Sequence, residues 1–239
     1  MKILAVETST EYCSVALWQD GTLSERCELV GQKHSEVLMQ MLDALLRDAR
    51  IGVREIEGVG FGKGPGSFTG VRIACGVAQG LALGADVKVV GVCTLEALAQ
   101  ASGHDKVIAA LDARMGELYL AAYEKRDGGW FAAMEPRLCK PHEARPLSGA
   151  DWFGAGNGFG VNEAGLVTYF GSQLIGVDVQ VMPRASAVAQ LAAVEFARGH
   201  AVDAAQALPL YLRDKVALTT RERAAARPGS TATAGPTNE

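Results

Sequence analysis

GFGKGPGSFTGVR, at residues 60–72, carries a strand through a glycine-rich loop into a helix. Ser67 or Thr69 can cap that helix. The loop is not a Walker loop, because no Gly-Lys-Ser/Thr follows a glycine at the required spacing, and it also lacks the Gly-x-Gly-x-x-Gly of a dinucleotide site. It therefore predicts a strand-to-helix turn in which glycines adopt positive φ and the helix start presents free N–H groups.

Four elements are predicted before this loop. Short β-rich runs indicate strands at residues 2–7, 13–18 and 23–30, with a turn signal at residues 19–22. A helix is predicted over residues 35–49, and Ser35 can cap it. The apolar residues at helical spacing are Leu38, Met41, Leu42, Leu45, Leu46 and Ala49.

Strands alternate with helices from the loop onward. Residues 57–62 and 87–92 are predicted strands, and residues 69–85 and 94–101 are predicted helices. An initial hairpin followed by this alternation predicts an α/β fold with a mixed sheet.

The pattern restarts near residues 102–105. Strands are predicted at residues 107–111, 117–123, 130–138, 151–155 and 177–182, and a helix at residues 186–198. Because the same order of elements occurs twice, we predict two related lobes. Residues 1–104, rejoined by about 208–218, form the first lobe, and residues 105–207 form the second. Residues 219–239 lack an apolar period and are predicted to be a disordered tail.

Composition excludes several classes of protein. The 239 residues are 49% hydrophobic, which suffices for a sizeable core, and the net charge of −4 argues against a strong general affinity for nucleic acid. The five scattered cysteines indicate reduced thiols in a cytosolic protein. An acid, Glu7, follows only four apolar residues, so no signal peptide is expected. No apolar run approaches the ~20 residues of a membrane helix.

The hairpin ILAVETST, at residues 3–10, has two interpretations. Backbone N–H groups and hydroxyls converge at such a short turn, so it can cradle an anion. The other interpretation is an ordinary hairpin, which the pattern alone favours.

Four blocks of sequence resemble the TsaB (YeaZ) family. They are the loop at residues 60–72, the hairpin at residues 3–10, LDARMGELY at residues 111–119 and LPLYLRDKVA at residues 208–217. The resemblance extends from Met1 to about Val216, and the run Gly-Pro-Gly-Ser-Phe-Thr-Gly-x-Arg is highly specific.

This resemblance implies a fold of the actin, sugar-kinase and Hsp70 (ASKHA) type, with two related lobes whose mixed sheets are flanked by helices. It implies a non-catalytic subunit that binds and supports the catalytic paralogue TsaD, which makes threonylcarbamoyladenosine on tRNA. An ATPase, TsaE, joins the pair, and the isolated chain forms homodimers. Such a protein is cytoplasmic, has no membrane segment, contacts tRNA only through the complex and leaves ATP and metal to its partners.

A dimer surface is also implied by the resemblance, on the helices at residues 35–49 and 69–85. The residues agree with it, since the first helix has an apolar excess and the second is rich in small residues that let a partner approach closely. The interface candidates are Leu38, Met39, Leu42, Leu46, Arg72, Cys75, Val77 and Gln79.

Relative to the paralogue, the resemblance implies a lost active site. The paralogue binds its metal through His-x-x-x-His, and Thr94 and Leu98 align with those ligands. Its second phosphate loop has adjacent glycines, whereas residues 112–116 keep one. We therefore expect no catalytic residue and no metal ligand. The candidates for a vestigial nucleotide site are Glu7, Thr8, Ser9, Gly64, Gly66 and Asp112.

Three alternatives remain. An active ATP-dependent kinase or acyltransferase of the same superfold would need a metal-binding acid on the first hairpin, where Glu7 is the candidate. A peptidase would need a zinc-binding histidine pair or a catalytic triad, and the spacing nominates neither. A stand-alone homodimeric scaffold would have no link to tRNA.

Overall fold

Two five-stranded mixed sheets form the computed structural model, which describes residues 1–161 and 165–213. The first sheet contains β1 (Lys2–Glu7), β2 (Tyr12–Gln19), β3 (Thr22–Leu29), β4 (Gly58–Gly64) and β5 (Val89–Cys93). The second contains β6 (Lys106–Asp112), β7 (Leu118–Arg126), β8 (Gly129–Cys139), β9 (Trp152–Ala155) and β10 (Leu174–Asp178). The helices are α1 (His34–Ala49), α2 (Phe68–Ala85), α3 (Thr94–Ser102), α4 (Gly165–Phe170) and α5 (Ala185–Ala197).

The two sheets have the same topology. Their strand orders are β3-β2-β1-β4-β5 and β8-β7-β6-β9-β10. In each, the first three strands are antiparallel and the last two are parallel to the first. The predicted fold, two lobes with mixed sheets flanked by helices, is confirmed.

Alternation along β1 explains why helices cover both faces of the first sheet. Leu4 and Val6 point to one face and join the core cluster of α1 and α2. Ile3 and Ala5 point to the other face, where the alanines of α5 pack closely. All four residues are fully buried.

Helices α3 and α5 are exchanged between the lobes. Leu95 and Leu98 of α3 pack against Val107 and Ala109 of the second sheet, whereas α5, which follows β10, packs on the first sheet. The predicted boundary that placed all of residues 105–207 in the second lobe is therefore wrong for α5. Helical periodicity predicts a buried face but not the sheet that buries it.

Three local predictions differ from the structure. The strand predicted at residues 177–182 is β10, which begins at Leu174, and α4 was not anticipated because it has only six residues. Ser35 is not the cap of α1, because the helix begins one residue earlier with Lys33 at the cap position. The predicted disordered tail lies outside the described residues.

Candidate partner surface and interlobe cleft

The glycine-rich loop is packed onto the first hairpin. Ser67 caps α2 as predicted, since its side chain accepts a 3.3 Å hydrogen bond from the Gly70 N–H. Of the glycines in this loop, only Gly64 has a positive φ, at +99°. The prediction of positive φ is wrong for the other glycines of the loop. Glycine is required there because neighbouring atoms leave no room for a side chain. A Cβ on Gly70 would lie 1.9 Å from the Thr8 carbonyl oxygen, and one on Gly66 2.6 Å from the Ser9 carbonyl oxygen.

Hydrogen bonds between the hairpin and the start of α2 engage two of the donors that could have cradled an anion, although the buried Ser9 hydroxyl has no partner among the described residues. The Ser67 N–H donates to the Ser9 carbonyl at 2.7 Å, and the Thr8 hydroxyl donates to the Gly70 carbonyl at 2.8 Å. These polar groups of the hairpin and of the start of α2 are therefore hydrogen-bonded to each other, and Thr8 is fully buried between the two elements.

Glu7 is sealed inside the protein. One of its carboxylate oxygens accepts a 2.6 Å hydrogen bond from the Ser9 N–H, and the other has no partner among the described residues. That second oxygen lies against Gly62, where a Cβ would be only 1.9 Å away. Burial raises the pKa of Glu7. A carboxyl group in this setting is poorly placed to hold a metal ion for a nucleotide.

A cleft of about 570 Å³ opens between the lobes. Its walls are the β1–β2 hairpin (the first hairpin), the β6–β7 hairpin (the second hairpin), the start of α2 and residues 210–213. We call residues 207–213 the strap. Of the six candidates for a nucleotide site, Ser9, Gly66 and Asp112 line this cleft, whereas Glu7, Thr8 and Gly64 lie behind it. The structure thus places only three of the six predicted residues around the cleft.

The turn between β6 and β7, which is the second hairpin of the cleft, lines it with the side chains of Arg114 and Met115. Arg114, Met115 and Gly116 all have left-handed backbone conformations, with φ of 65°, 58° and 73°. Arg114 forms ion pairs with Asp112 at 3.2 Å and with Glu11 of the first hairpin at 3.1 Å. The guanidinium therefore bridges the two lobes at the place where a phosphate would need open backbone N–H groups.

The strap joins the lobes on one side of the cleft. Its Leu210 N–H donates to the Lys63 carbonyl at 2.6 Å, and the Cys75 thiol and the Gln79 amide both donate to the Ala207 carbonyl. At its other end Arg213 pairs with Glu117 at 2.6 Å and donates to the Ala113 carbonyl at 3.0 Å. Sequence spacing gave no signal for these hydrogen bonds, because the side-chain donors lie 100, 128 and 132 residues from their acceptors.

Three of the predicted interface residues belong to the core. Leu38 is 1% exposed, Leu42 2% and Cys75 6%, because the stripe that seemed available to a partner covers the first sheet. The prediction that these three residues lie on the partner surface is therefore wrong. Leu46, Val77 and Gln79 are half-buried, and Arg72 and Met39 are exposed, Met39 at 56%.

The outer face of α2 is apolar and uncovered in the described structure. Its 18 residues are apolar enough for a membrane span by length and composition, but Val71, Ala74 and Ala78 pack against the first sheet. On the opposite side, Leu83 is 74% exposed. Gly76, Gly80 and Gly84 recur every four residues, and a Cβ on any of them would meet open space.

The positions aligned with the paralogue's metal ligands are structural. The Thr94 hydroxyl accepts a 3.2 Å hydrogen bond from the Gly64 N–H, and Leu98 is fully buried. Within residues 1–161 and 165–213, no three His, Cys, Asp or Glu side chains come close enough to hold a metal ion.

Known proteins resemble this chain over most of its length. The family model that matches it, at residues 26–220, is TsaD, described as tRNA N6-adenosine threonylcarbamoyltransferase. The tRNA threonylcarbamoyladenosine biosynthesis protein TsaB of Escherichia coli (strain K12) is 39% identical over 230 residues, which cover 91% of this chain and 96% of that protein. Its namesake in Haemophilus influenzae is 35% identical over 229 residues, covering 90% and 95%.

A solved structure agrees with these relatives. The structure described as YeaZ from Pseudomonas aeruginosa superposes with a TM-score of 0.81 at 39% identity, and the match covers 88% of this chain and 99% of that one.

Proposed function

The chain belongs to the TsaB (YeaZ) family, and on that premise we propose that it is a non-catalytic subunit of the machinery that makes threonylcarbamoyladenosine on tRNA. In this proposal it binds and supports a TsaD-type catalytic subunit, and a TsaE-type ATPase joins them. The isolated chain forms homodimers through the same surface and contacts tRNA only within the complex. It works in the cytoplasm and needs no cofactor of its own, since ATP and a metal ion are held by its partners.

Two features of the cleft support a subunit without its own chemistry. Arg114 and Met115 occupy the second hairpin, where an ATP site needs a loop that clamps phosphates. Glu7, the acid expected of an active kinase, is 1% exposed and is covered by Gly62. A metal-bound triphosphate in this cleft would therefore have neither a loop that clamps its phosphates nor an acid that reaches its metal ion.

The observation that carries the proposal is the uncovered face of α2. A helix whose glycines at positions 76, 80 and 84 border open space lets another helix approach at backbone distance. Leu83 of α2 and Met39 of α1 add exposed apolar area, and charged residues are depleted at the centre of interfaces. This face is therefore suited to a permanent protein partner.

Co-purification with a TsaD-type subunit tests the proposal, followed by a tRNA modification assay with and without this chain. We expect modification to require both proteins. Gly80→Leu should fold normally, because the new side chain enters open space, and should weaken the complex at least about tenfold by blocking close approach.

Two variants of equal exposure provide the control. Met39→Glu places a charge on the proposed surface, whereas Phe131→Glu does so on β8 of the other lobe, and the two positions are 56% and 52% exposed. Only Met39→Glu should weaken the complex. If the wild-type chain does not bind the partner, or if modification proceeds equally well without the chain, the proposal is wrong.

A further inference from the structure

Arg72, at the start of α2, lies over one aromatic ring and beside a second. Its guanidinium carbon lies 3.5 Å from the centroid of Phe68 and 5.5 Å from that of Tyr211 in the strap. Its Nε–H donates a 2.7 Å hydrogen bond to the Tyr211 hydroxyl. A stacked and hydrogen-bonded guanidinium loses little further freedom on binding, so the group is pre-organised.

No described residue accepts a hydrogen bond from the two outer nitrogens of this guanidinium. Arg72 is exposed, and it pairs with no carboxylate of the described residues, unlike Arg26 on β3 and Arg47 on α1. With Nε already used, its Nη1 and Nη2 present the forked donors that match a carboxylate.

Its position on α2 connects it with the proposed partner surface. Arg72, Gly76 and Gly80 follow one another at four-residue steps, so they lie along one side of the helix. Arg72 is also the only charged residue among the 18 residues of α2. A lone charge at the end of an apolar face is well suited to fix the register of a helix that lies along it.

We infer that Arg72 receives a carboxylate of the partner subunit, from an Asp or Glu that reaches the N-terminal end of α2. The inference rests on the proposed function and adds to it the chemistry of one contact. Phe68 and Tyr211 act as positioning residues, because they orient the guanidinium. Arginine and tyrosine in such clusters are frequent hot spots of protein interfaces.

An RNA phosphate is the other group that a guanidinium binds. Phosphate backbones are bound by several basic residues together, and α2 offers only this one in a chain of net charge −4. The protein carboxylate is therefore favoured.

Partner affinity of four full-length variants tests the inference. Arg72→Met keeps the side-chain stem against Phe68 and removes the charge, Arg72→Lys keeps the charge and removes the fork, and Tyr211→Phe removes the hydroxyl that holds Nε. Arg126→Met in the second lobe is the control, since Arg126 is likewise exposed but pairs with Glu124 of its own strand. Calorimetry with the TsaD-type subunit at low and high salt gives the dissociation constants.

We expect Arg72→Met to weaken binding about tenfold or more, and Arg72→Lys and Tyr211→Phe to weaken it less. The wild-type affinity should fall with salt more steeply than that of Arg72→Met. Equal affinities for wild type and Arg72→Met at both salt concentrations would overturn the inference and leave the proposed function intact. Absence of wild-type binding would overturn both. Loss of tRNA binding in Arg72→Met with unchanged partner affinity would favour a phosphate ligand instead.

Discussion

The Thr8 hydroxyl donates a 2.8 Å hydrogen bond to the Gly70 carbonyl, and the Gly70 Cα in turn faces the Thr8 carbonyl with no room for a side chain. This contact joins the first hairpin to α2. The hairpin, one interpretation of which is a phosphate cradle, is therefore a buried contact between a sheet and the helix that covers it.

Gly70→Ala should destabilise the protein by disturbing this contact between the first hairpin and α2. Its Cβ would lie 1.9 Å from a backbone oxygen, so the hairpin and α2 must separate, at a cost of about 3 kcal/mol or more. Gly76→Ala in the same helix is the control, because its Cβ meets open space and should be neutral or stabilise by about 0.5–1 kcal/mol. Urea denaturation measures both. Equal stabilities would contradict the close packing.

Glu96 should make stability depend on pH. Burial and the Glu195 carboxylate raise its pKa from 4.5 to about 7. Because the folded protein binds this proton more tightly than the unfolded chain, stability falls as the pH rises from about 4.5 to about 7. Glu96→Gln stays neutral, so its stability relative to wild type should rise between pH 4 and pH 8 by on the order of 2–3 kcal/mol.

Glu55→Gln is the comparison for the pH experiment. A hydrogen bond from the Gly52 N–H lowers the pKa of Glu55, so this group stabilises the protein when the pH lies above its ordinary value. Relative to wild type, Glu55→Gln should become less stable as the pH rises, the opposite trend to Glu96→Gln. Thermal unfolding at several pH values distinguishes the two, and parallel trends would contradict the assignment.

Arg213→Ala should loosen the second hairpin of the cleft. Arg213 and Glu117 are both largely shielded from water and pair at 2.6 Å, so the loss should cost about 1–2 kcal/mol. Hydrogen exchange of residues 112–117 should become faster. Arg126→Ala removes the ion pair of an exposed arginine of the same lobe and should leave that exchange unchanged. Unchanged exchange in Arg213→Ala would show that the strap does not hold the hairpin.

The isolated chain should bind ATP with magnesium no more tightly than a millimolar dissociation constant, about −4 kcal/mol. The Arg114 side chain lines the cleft at the second hairpin, and the Asp112 carboxylate beside it repels a triphosphate. Calorimetry measures the affinity. A micromolar constant, or ATP hydrolysis that Glu7→Ala abolishes, would favour an active kinase or acyltransferase.

Sequence patterns predicted the repeated lobes and most strands, because each strand and helix carries its own periodicity. They did not predict that the apolar stripe of α1 serves the core, since Leu38 and Leu42 look the same whether a sheet or a partner covers them. They place residues 208–218 with the first lobe but name no partner for the strap, because its contacts are set by the tertiary fold. The glycines of residues 60–72 correctly predict a turn. The reason for that prediction, a positive φ, applies only to Gly64.

The exchange of α3 and α5 has a consequence for synthesis on the ribosome. One face of the first sheet is complete once Cys93 has been made, but α5, which covers that face, begins only at Ala185. At about 5–20 residues per second, the roughly ninety residues between them take about 5–20 s to translate. Throughout that interval the apolar side of the nascent sheet is open to water and to chaperones.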